Sequence, residues 1–175
     1  WVDLLSRMQR KPGFSDRLVL DTYRLSLATG SLSAAADYME MGQLALQAGN
    51  EDEARIVVDK GFAAGVLGTG AEAERHKRLR DLVARKVAEA KASQATAEAE
   101  AKAAKEGDAL VKLGFARAMG GDAAGGLPII QQGIAKGGLK RPEDAKLHLG
   151  IAQVMAGDAK AQATLRSVGE IGRAS

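Results

Sequence analysis

The chain has 175 residues and no cysteine, and a chain of this length suits a single domain that buries roughly 70% of its unfolded surface without needing a disulfide. Its 25 basic and 22 acidic residues leave a net charge of +3, which argues against the strongly basic surface of a nucleic-acid-binding protein. Aromatic residues make up 3% of the chain, so few side chains remain on which bases or sugars could stack.

The N-terminal stretch predicts two short helices. Apolar residues recur at helical spacing from Trp1 to Met8, and Pro12 and Gly13 then interrupt the pattern. A second helix is expected to begin after Ser15 and to end at Thr29-Gly30. Because the chain begins with Trp1 rather than Met, we expect a fragment of a longer protein, which leaves the compartment and any upstream signal peptide open. The sequence contains no apolar run long enough to span a membrane.

The next stretch predicts a helical hairpin with a sharp turn. A helix is expected over Ala34 to Gln47, with Gly49 as its stop. Asn50 can cap the following helix, expected over Glu51 to Ala63, and Glu53 stands three residues after this cap. The hairpin is therefore specified at both of its helix ends.

Residues 71–107 differ from the rest of the chain. Thr69 and Glu72 match a capping box at the start of a helix. No Gly or Pro lies between Gly70 and Gly107, and the second half of this stretch is rich in Ala and in charged residues. The lack of turn residues favours one long helix, whereas a length close to one repeat period favours a hairpin that turns near residues 93–96. Both interpretations stay open at this stage.

The C-terminal part predicts four more helices. The first is expected over Asp108 to Met119. The Gly-Gly pair at 125–126 and Pro128 disfavour a helix that begins at Asp122, so the second is expected to begin near Leu127. A third begins at the proline of position 142, a fourth covers about residues 159–168, and the tail 169–175 is expected to fray.

One motif recurs three times in this chain. An apolar residue precedes a Gly, and a second Gly, followed by a helix-capping residue, stands seven positions later. The copies span Met41–Asn50, Leu113–Asp122 and Leu149–Asp158. The second and third copies lie 36 residues apart and the first and second 72, a regularity typical of stacked helical units.

These repeats resemble the tetratricopeptide repeat family. The first-helix pattern appears as Tyr38-x2-Met41-Gly42 and the second-helix pattern as Ala54-x3-Val58. Residues 61–67 and 133–139 also look like the C-terminal parts of uncharacterised bacterial proteins of this kind. The resemblance implies an all-α, tetratricopeptide-like α-α superhelix, a solenoid of helical hairpins with a long Ala-rich helical insert. Its segments are 1–70, helical hairpins with one repeat unit; 71–107, the insert; and 108–175, two repeat units.

In such a superhelix the first helices of the pairs line a concave groove. The groove positions in this sequence are Met39, Gln43, Leu46, Val111, Phe115, Met119, Leu147, Ile151 and Met155. An apolar groove with three Met residues suits a partner helix or peptide, because Met adapts to varied partners. The predicted function is therefore a non-catalytic protein-interaction scaffold, unless the N-terminal hairpin or a second copy fills the groove. The alternative is a structural self-assembly module, a homodimer that is domain-swapped through the long helix.

Residues capable of catalysis or of holding a cofactor are sparse. Glu72 and His76 lie one helical turn apart and could hold half a metal site, but no second such pair exists, so His76 is expected on the solvated surface. Residues 68–73 match a G-x-G-x-x-A loop, but the strand that a dinucleotide site requires before it is not predicted. We expect no metal, no cofactor, no nucleic acid and no enzymatic activity.

Overall fold

A computed structural model describes residues 1–169 of the chain. In that range the chain forms nine α-helices and one 3-10 turn and contains no strand, which confirms the all-α prediction. The helices are α1 (Val2–Gln9), α2 (Val19–Ala28), α3 (Ala35–Ala48), α4 (Glu51–Ala63), α5 (Ala73–Ala103), α6 (Asp108–Met119), α7 (Ala123–Lys136), α8 (Pro142–Ala156) and α9 (Ala161–Arg166). Residues 170–175, most of the tail predicted to fray, lie outside the described range.

The described residues form two compact units. The first unit contains residues 1–49 and 54–86, and the second contains residues 50–53 and 87–169. The division into segments 1–70, 71–107 and 108–175 stays a prediction, because a grouping by contacts does not test where repeat units begin.

The turn between α3 and α4 lies at Gly49 and Asn50, where the sequence predicts it. Gly49 adopts a left-handed conformation with a φ of 75°, which a residue with a side chain rarely takes. Asn50 stands directly before α4, and its amide Nδ2 donates a hydrogen bond to Glu53 Oε2 at 3.2 Å. Both side chains are buried, so this bond satisfies polar groups that water does not reach.

Residues 73–103 form one uninterrupted helix of 31 residues, so the structure has the single helix of the two alternatives. Its N-terminal half buries an apolar stripe that includes Leu79 and Val83, whereas residues 91–97 are all exposed.

The predicted capping box of Thr69 and Glu72 is wrong. The Thr69 hydroxyl donates to the carbonyl oxygen of Gly65 at 3.4 Å, and α5 begins four residues after Thr69.

The predicted start of α7 near Leu127 is also wrong, because the helix begins at Ala123. Asp122 caps it: the Oδ1 atom accepts a hydrogen bond from the Gly125 N–H at 2.9 Å. The Arg117 side chain and this N–H together lower the pKa of Asp122. Pro128 lies inside the helix, where it removes one hydrogen-bond donor early in the helix without ending it.

The last helix is shorter than the predicted range of 159–168. It covers Ala161–Arg166. Asp158 Oδ1 accepts a hydrogen bond from the Lys160 N–H at 2.8 Å. This local turn competes with helix formation at residues 158–160, so the helix starts two residues late.

The core of the second unit depends on a close approach of α6 and α7. A methyl group at Gly114 of α6 would lie 2.7 Å from the carbonyl oxygen of Gly126 and 2.7 Å from the backbone nitrogen of Ile130. The Ile130 side chain is fully buried beside Phe115 in this core. Glycine is therefore required where the two backbones nearly touch.

We expect Gly114→Ala to destabilise the protein, although alanine favours helices over glycine by about 1 kcal/mol. The added methyl has no room, and overpacking costs roughly 1–3 kcal/mol. Thermal unfolding followed by circular dichroism should show a lower midpoint for Gly114→Ala and an unchanged midpoint for Lys112→Ala, an exposed position on the same helix. A raised midpoint for Gly114→Ala would contradict the close approach.

Candidate functional site

The first unit contains a cavity of about 770 Å³. One wall is α3, and the opposite wall is formed by the loop of residues 64–72, which joins α4 to α5, and by the first turn of α5. We call this space the α3–α5 cavity. Its volume lies within the roughly 300–1,000 Å³ of typical ligand pockets.

The α3 wall is one face of the helix. Ala36, Met39, Gln43 and Gln47 line the cavity at the three- and four-residue spacing that places side chains on one side of a helix. Met39 is buried at 6% exposure and supplies an apolar floor. Gln43 and Gln47 are exposed and lie one turn apart, so their amide groups can both donate and accept hydrogen bonds at the cavity.

The 64–72 loop of the opposite wall is bonded to both neighbouring helices. The Val66 and Leu67 N–H groups donate to the Gly61 carbonyl oxygen of α4, each at 3.0 Å. The Gly68 N–H donates to Nδ1 of His76 at 3.1 Å. Gly68 has a φ of 83°, and a methyl group in its place would lie 2.6 Å from the Phe62 ring. Glycine at this position therefore allows both the turn of the backbone and its packing against Phe62.

Neither histidine is a solvated surface residue, so the prediction for His76 is wrong. The His76 ring is buried at 5% exposure because the loop covers it and the Gly68 N–H occupies one of its nitrogens. In the second unit, His148 stacks on Phe115 with ring centroids 3.9 Å apart and an interplanar angle of 11°. Sequence spacing alone could not show that a glycine-rich loop folds over one ring and that an aromatic ring covers the other.

Charged side chains in the cavity wall are partly paired. Glu40 of α3 accepts a hydrogen bond from the Tyr23 hydroxyl at 2.8 Å, and burial together with Glu40 raises the pKa of Tyr23. Glu72 and Arg75 form an exposed ion pair at 3.4 Å. The lining thus carries two carboxylates and one guanidinium group.

The structure places the predicted groove residues in several environments. Met39 and Gln43 line the α3–α5 cavity, whereas Leu46 is half-buried and does not line it. In the second unit, Val111 and Phe115 belong to the buried core, and Met119 and Ile151 pack against that core. Leu147 is half-buried and Met155 is 45% exposed. A groove formed by all nine residues stays a prediction.

Sequence reasoning missed the loop side of the cavity. Val66, Thr69 and His76 line it, although none of them was assigned to the groove. The sequence signal for this wall was the series Gly65, Gly68 and Gly70, which stands shortly before a histidine. All three glycines have a positive φ in the structure. Such a series predicts a loop but not the residue to which the loop is bonded.

The structure adds two observations on metals and membranes. Across residues 1–169, no group of three or more His, Cys, Asp or Glu side chains is arranged to hold a metal ion. The helices of that range include none that is both long and apolar enough to cross a bilayer.

Comparisons with known proteins gave no match to a protein-family model, to a curated protein or to a solved structure. The resemblance to tetratricopeptide repeats therefore stays a prediction. The site has to be interpreted from its own geometry and chemistry.

Phe115 and Met155 should respond very differently to substitution by Asp. Phe115 is 4% exposed and stacked, so Phe115→Asp buries a charge and removes a core ring, which costs at least about 3–5 kcal/mol. Met155→Asp, at a position 45% exposed, should leave the unfolding midpoint nearly unchanged. Urea unfolding followed by circular dichroism measures both variants, and a Phe115→Asp protein of normal stability would place Phe115 on the surface instead.

Proposed function

We propose that the chain is a non-catalytic binding module that holds a segment of a partner protein in the α3–α5 cavity. The observation that carries this proposal is the combination of a buried apolar floor, Met39, with two exposed amide side chains on the same helix face. Apolar contact with a few well-placed polar groups is typical of ligand sites in proteins. Met39 and Gln43 of the predicted groove belong to this cavity, which we take as the binding surface.

The polar groups favour an extended segment over a partner helix. Gln43 and Gln47 each offer an amide donor and an acceptor beside the apolar floor. Backbone N–H and C=O groups are available in an extended peptide, whereas those inside a helix are already bonded to one another. An extended segment can therefore use both amides, with one apolar side chain placed over Met39.

The charges of the lining indicate the composition of that segment. Glu40 and Glu72 outnumber Arg75, and Arg75 is already paired with Glu72. Complementary charge improves specificity and speeds association. We therefore expect a Lys or Arg next to the apolar residue of the bound segment.

We also propose tetratricopeptide-like stacking of the helix pairs. In its support, the second Gly of each sequence motif has a positive φ: 75° at Gly49, 103° at Gly121 and 69° at Gly157. Each of these glycines follows the first helix of a pair, and a second helix begins within four residues. The three motifs thus mark equivalent turns, as a repeat architecture requires.

A peptide selection tests the binding function. Random peptides displayed on phage are selected against the whole chain, and a labelled winner is titrated by fluorescence polarisation. Combining Gln43→Ala with Gln47→Ala should weaken binding about tenfold or more, since each hydrogen bond contributes about 0.5–1.5 kcal/mol. The matched control combines Gln131→Ala with Gln132→Ala, which are exposed amides on α7. Selection of no peptide, or equal affinity of both double variants, would contradict the proposal.

Self-assembly is the second candidate function, and the continuity of α5 favours it. A swapped dimer needs a long helix without a turn, and α5 runs through 31 residues with its segment 91–97 exposed. Light scattering on a sizing column should give about twice the monomer mass of 18.2 kDa if this function holds. A mass equal to that of the monomer across the accessible concentration range would contradict it.

A further inference from the structure

His76 has one ring nitrogen whose hydrogen-bonding capacity the protein does not use. The ring is 5% exposed, and its Nδ1 atom accepts the hydrogen bond of the Gly68 N–H at 3.1 Å. A nitrogen that accepts a hydrogen bond carries no proton, so the neutral ring carries its proton on Nε2. No hydrogen-bond partner of Nε2 occurs between Trp1 and Gly169.

The Nε2–H group remains within reach of a ligand. Gln153 Oε1, in the second unit, is the one fully enclosed side-chain polar atom without a partner in the part of the chain that the structure describes. Nε2 of His76 is not enclosed in this way, and the residue lines the α3–α5 cavity. A nearly buried donor in a residue that lines a cavity gains most from an acceptor on the bound molecule, because little water competes there.

We propose that His76 is the recognition donor of the cavity and makes binding dependent on pH. The neutral ring donates from Nε2 to a backbone carbonyl oxygen of the bound segment, and protonation of Nδ1 abolishes binding. This inference rests on the proposed function, and it names the residue that selects the ligand and the condition under which it does so.

Protonation acts through the loop. A second proton on the ring has to occupy Nδ1, where it meets the Gly68 N–H, and two donors cannot bond to each other. The Gly68 N–H then loses its acceptor on α5 and faces a second donor, so the backbone at Gly68, next to Thr69 of the cavity wall, has to move. The Val66 N–H keeps its bond to the Gly61 carbonyl oxygen, so the change is confined to the part of the loop that covers the ring. Binding should therefore be present when His76 is neutral and should be lost as the pH falls.

Other charges near the ring do not change in the same way. Glu40 from α3, Glu72 from the end of the 64–72 loop and Arg75 from the first turn of α5 share the cavity with His76. Glu72 is the one charged side chain that the loop contributes to the lining. On α4, Asp59 pairs with Arg80 at 3.4 Å beside the ring of Phe62, against which Gly68 packs. Carboxylates and guanidinium groups ordinarily keep their charge between about pH 8 and 5.5, whereas imidazoles do not. The chain has two histidines, so His148 is the matched control.

A spectroscopic measurement tests the tautomer without any ligand. In protein labelled with ¹⁵N-histidine, long-range ¹H–¹⁵N correlations distinguish the two nitrogens of each ring. At pH 8, His76 should show a proton on Nε2 and none on Nδ1. A proton on Nδ1 would overturn the proposal, whatever the binding experiments give.

Binding experiments test the role of the donor. The probe is the labelled peptide from the phage selection, titrated at pH 8 and at pH 5.5. His76→Asn keeps an acceptor near the Nδ1 position and removes the Nε2–H, so affinity should fall at least fivefold at pH 8 and stop depending on pH. The parent chain and His148→Gln should both bind more weakly at pH 5.5 than at pH 8, and by the same factor.

The outcomes separate this inference from the proposed function. A peptide that binds the parent chain and His76→Asn equally at pH 8, or an affinity that does not change with pH, would overturn the role of His76 and leave the binding function standing. The lack of any selected peptide would overturn both. Circular dichroism shows whether His76→Asn folds. If it does not, the tautomer of His76 and the pH profile of binding to the parent chain still decide whether the proposal stands.

Discussion

The hydrogen bond from the Gly68 N–H to His76 Nδ1 is the interaction on which the candidate site depends. It joins a loop with little regular structure to the first turn of α5, and it buries the imidazole beneath that loop. One wall of the α3–α5 cavity is a face of α3, and the other is this loop, which also bonds to α4 through the Val66 and Leu67 N–H groups and the Gly61 carbonyl oxygen. The site thus combines a helix face with a loop wall that has one titratable hydrogen-bond partner, and the proposed pH dependence acts through that partner.

Glycine serves two separate purposes in the two units. In the first unit, Gly68 supplies a left-handed backbone conformation at the turn that approaches His76. In the second unit, Gly114 and Gly126 have ordinary helical backbones but remove side chains where α6 and α7 nearly touch. The abundance of glycine therefore reflects both sharp turns and close helix packing. The effect of replacing a glycine by alanine has to be predicted separately for the two kinds of position.

Much of the fold was predictable because its signals are local. The end of α3 and the start of α4 follow from Gly49 and Asn50, which are neighbours in the sequence. The start of α7 was not predictable in this way, because the cap at Asp122 outweighs the glycines and the proline that follow it. The site was predicted only on its α3 side, where Met39 and Gln43 share a helical spacing. The other side of the cavity depends on the contact between Gly68 and His76. The spacing of glycines in a loop does not reveal the side chain to which the loop backbone is bonded.

Mapping the bound peptide by ¹H–¹⁵N chemical-shift changes in the whole chain is the most direct test of the α3–α5 cavity as the binding site. We expect the largest changes on Met39, Gln43, Gln47 and the 64–72 loop, with the His76 side chain among them. Changes concentrated instead on α8, around Leu147 and Met155, would contradict the assignment of the binding site to the α3–α5 cavity.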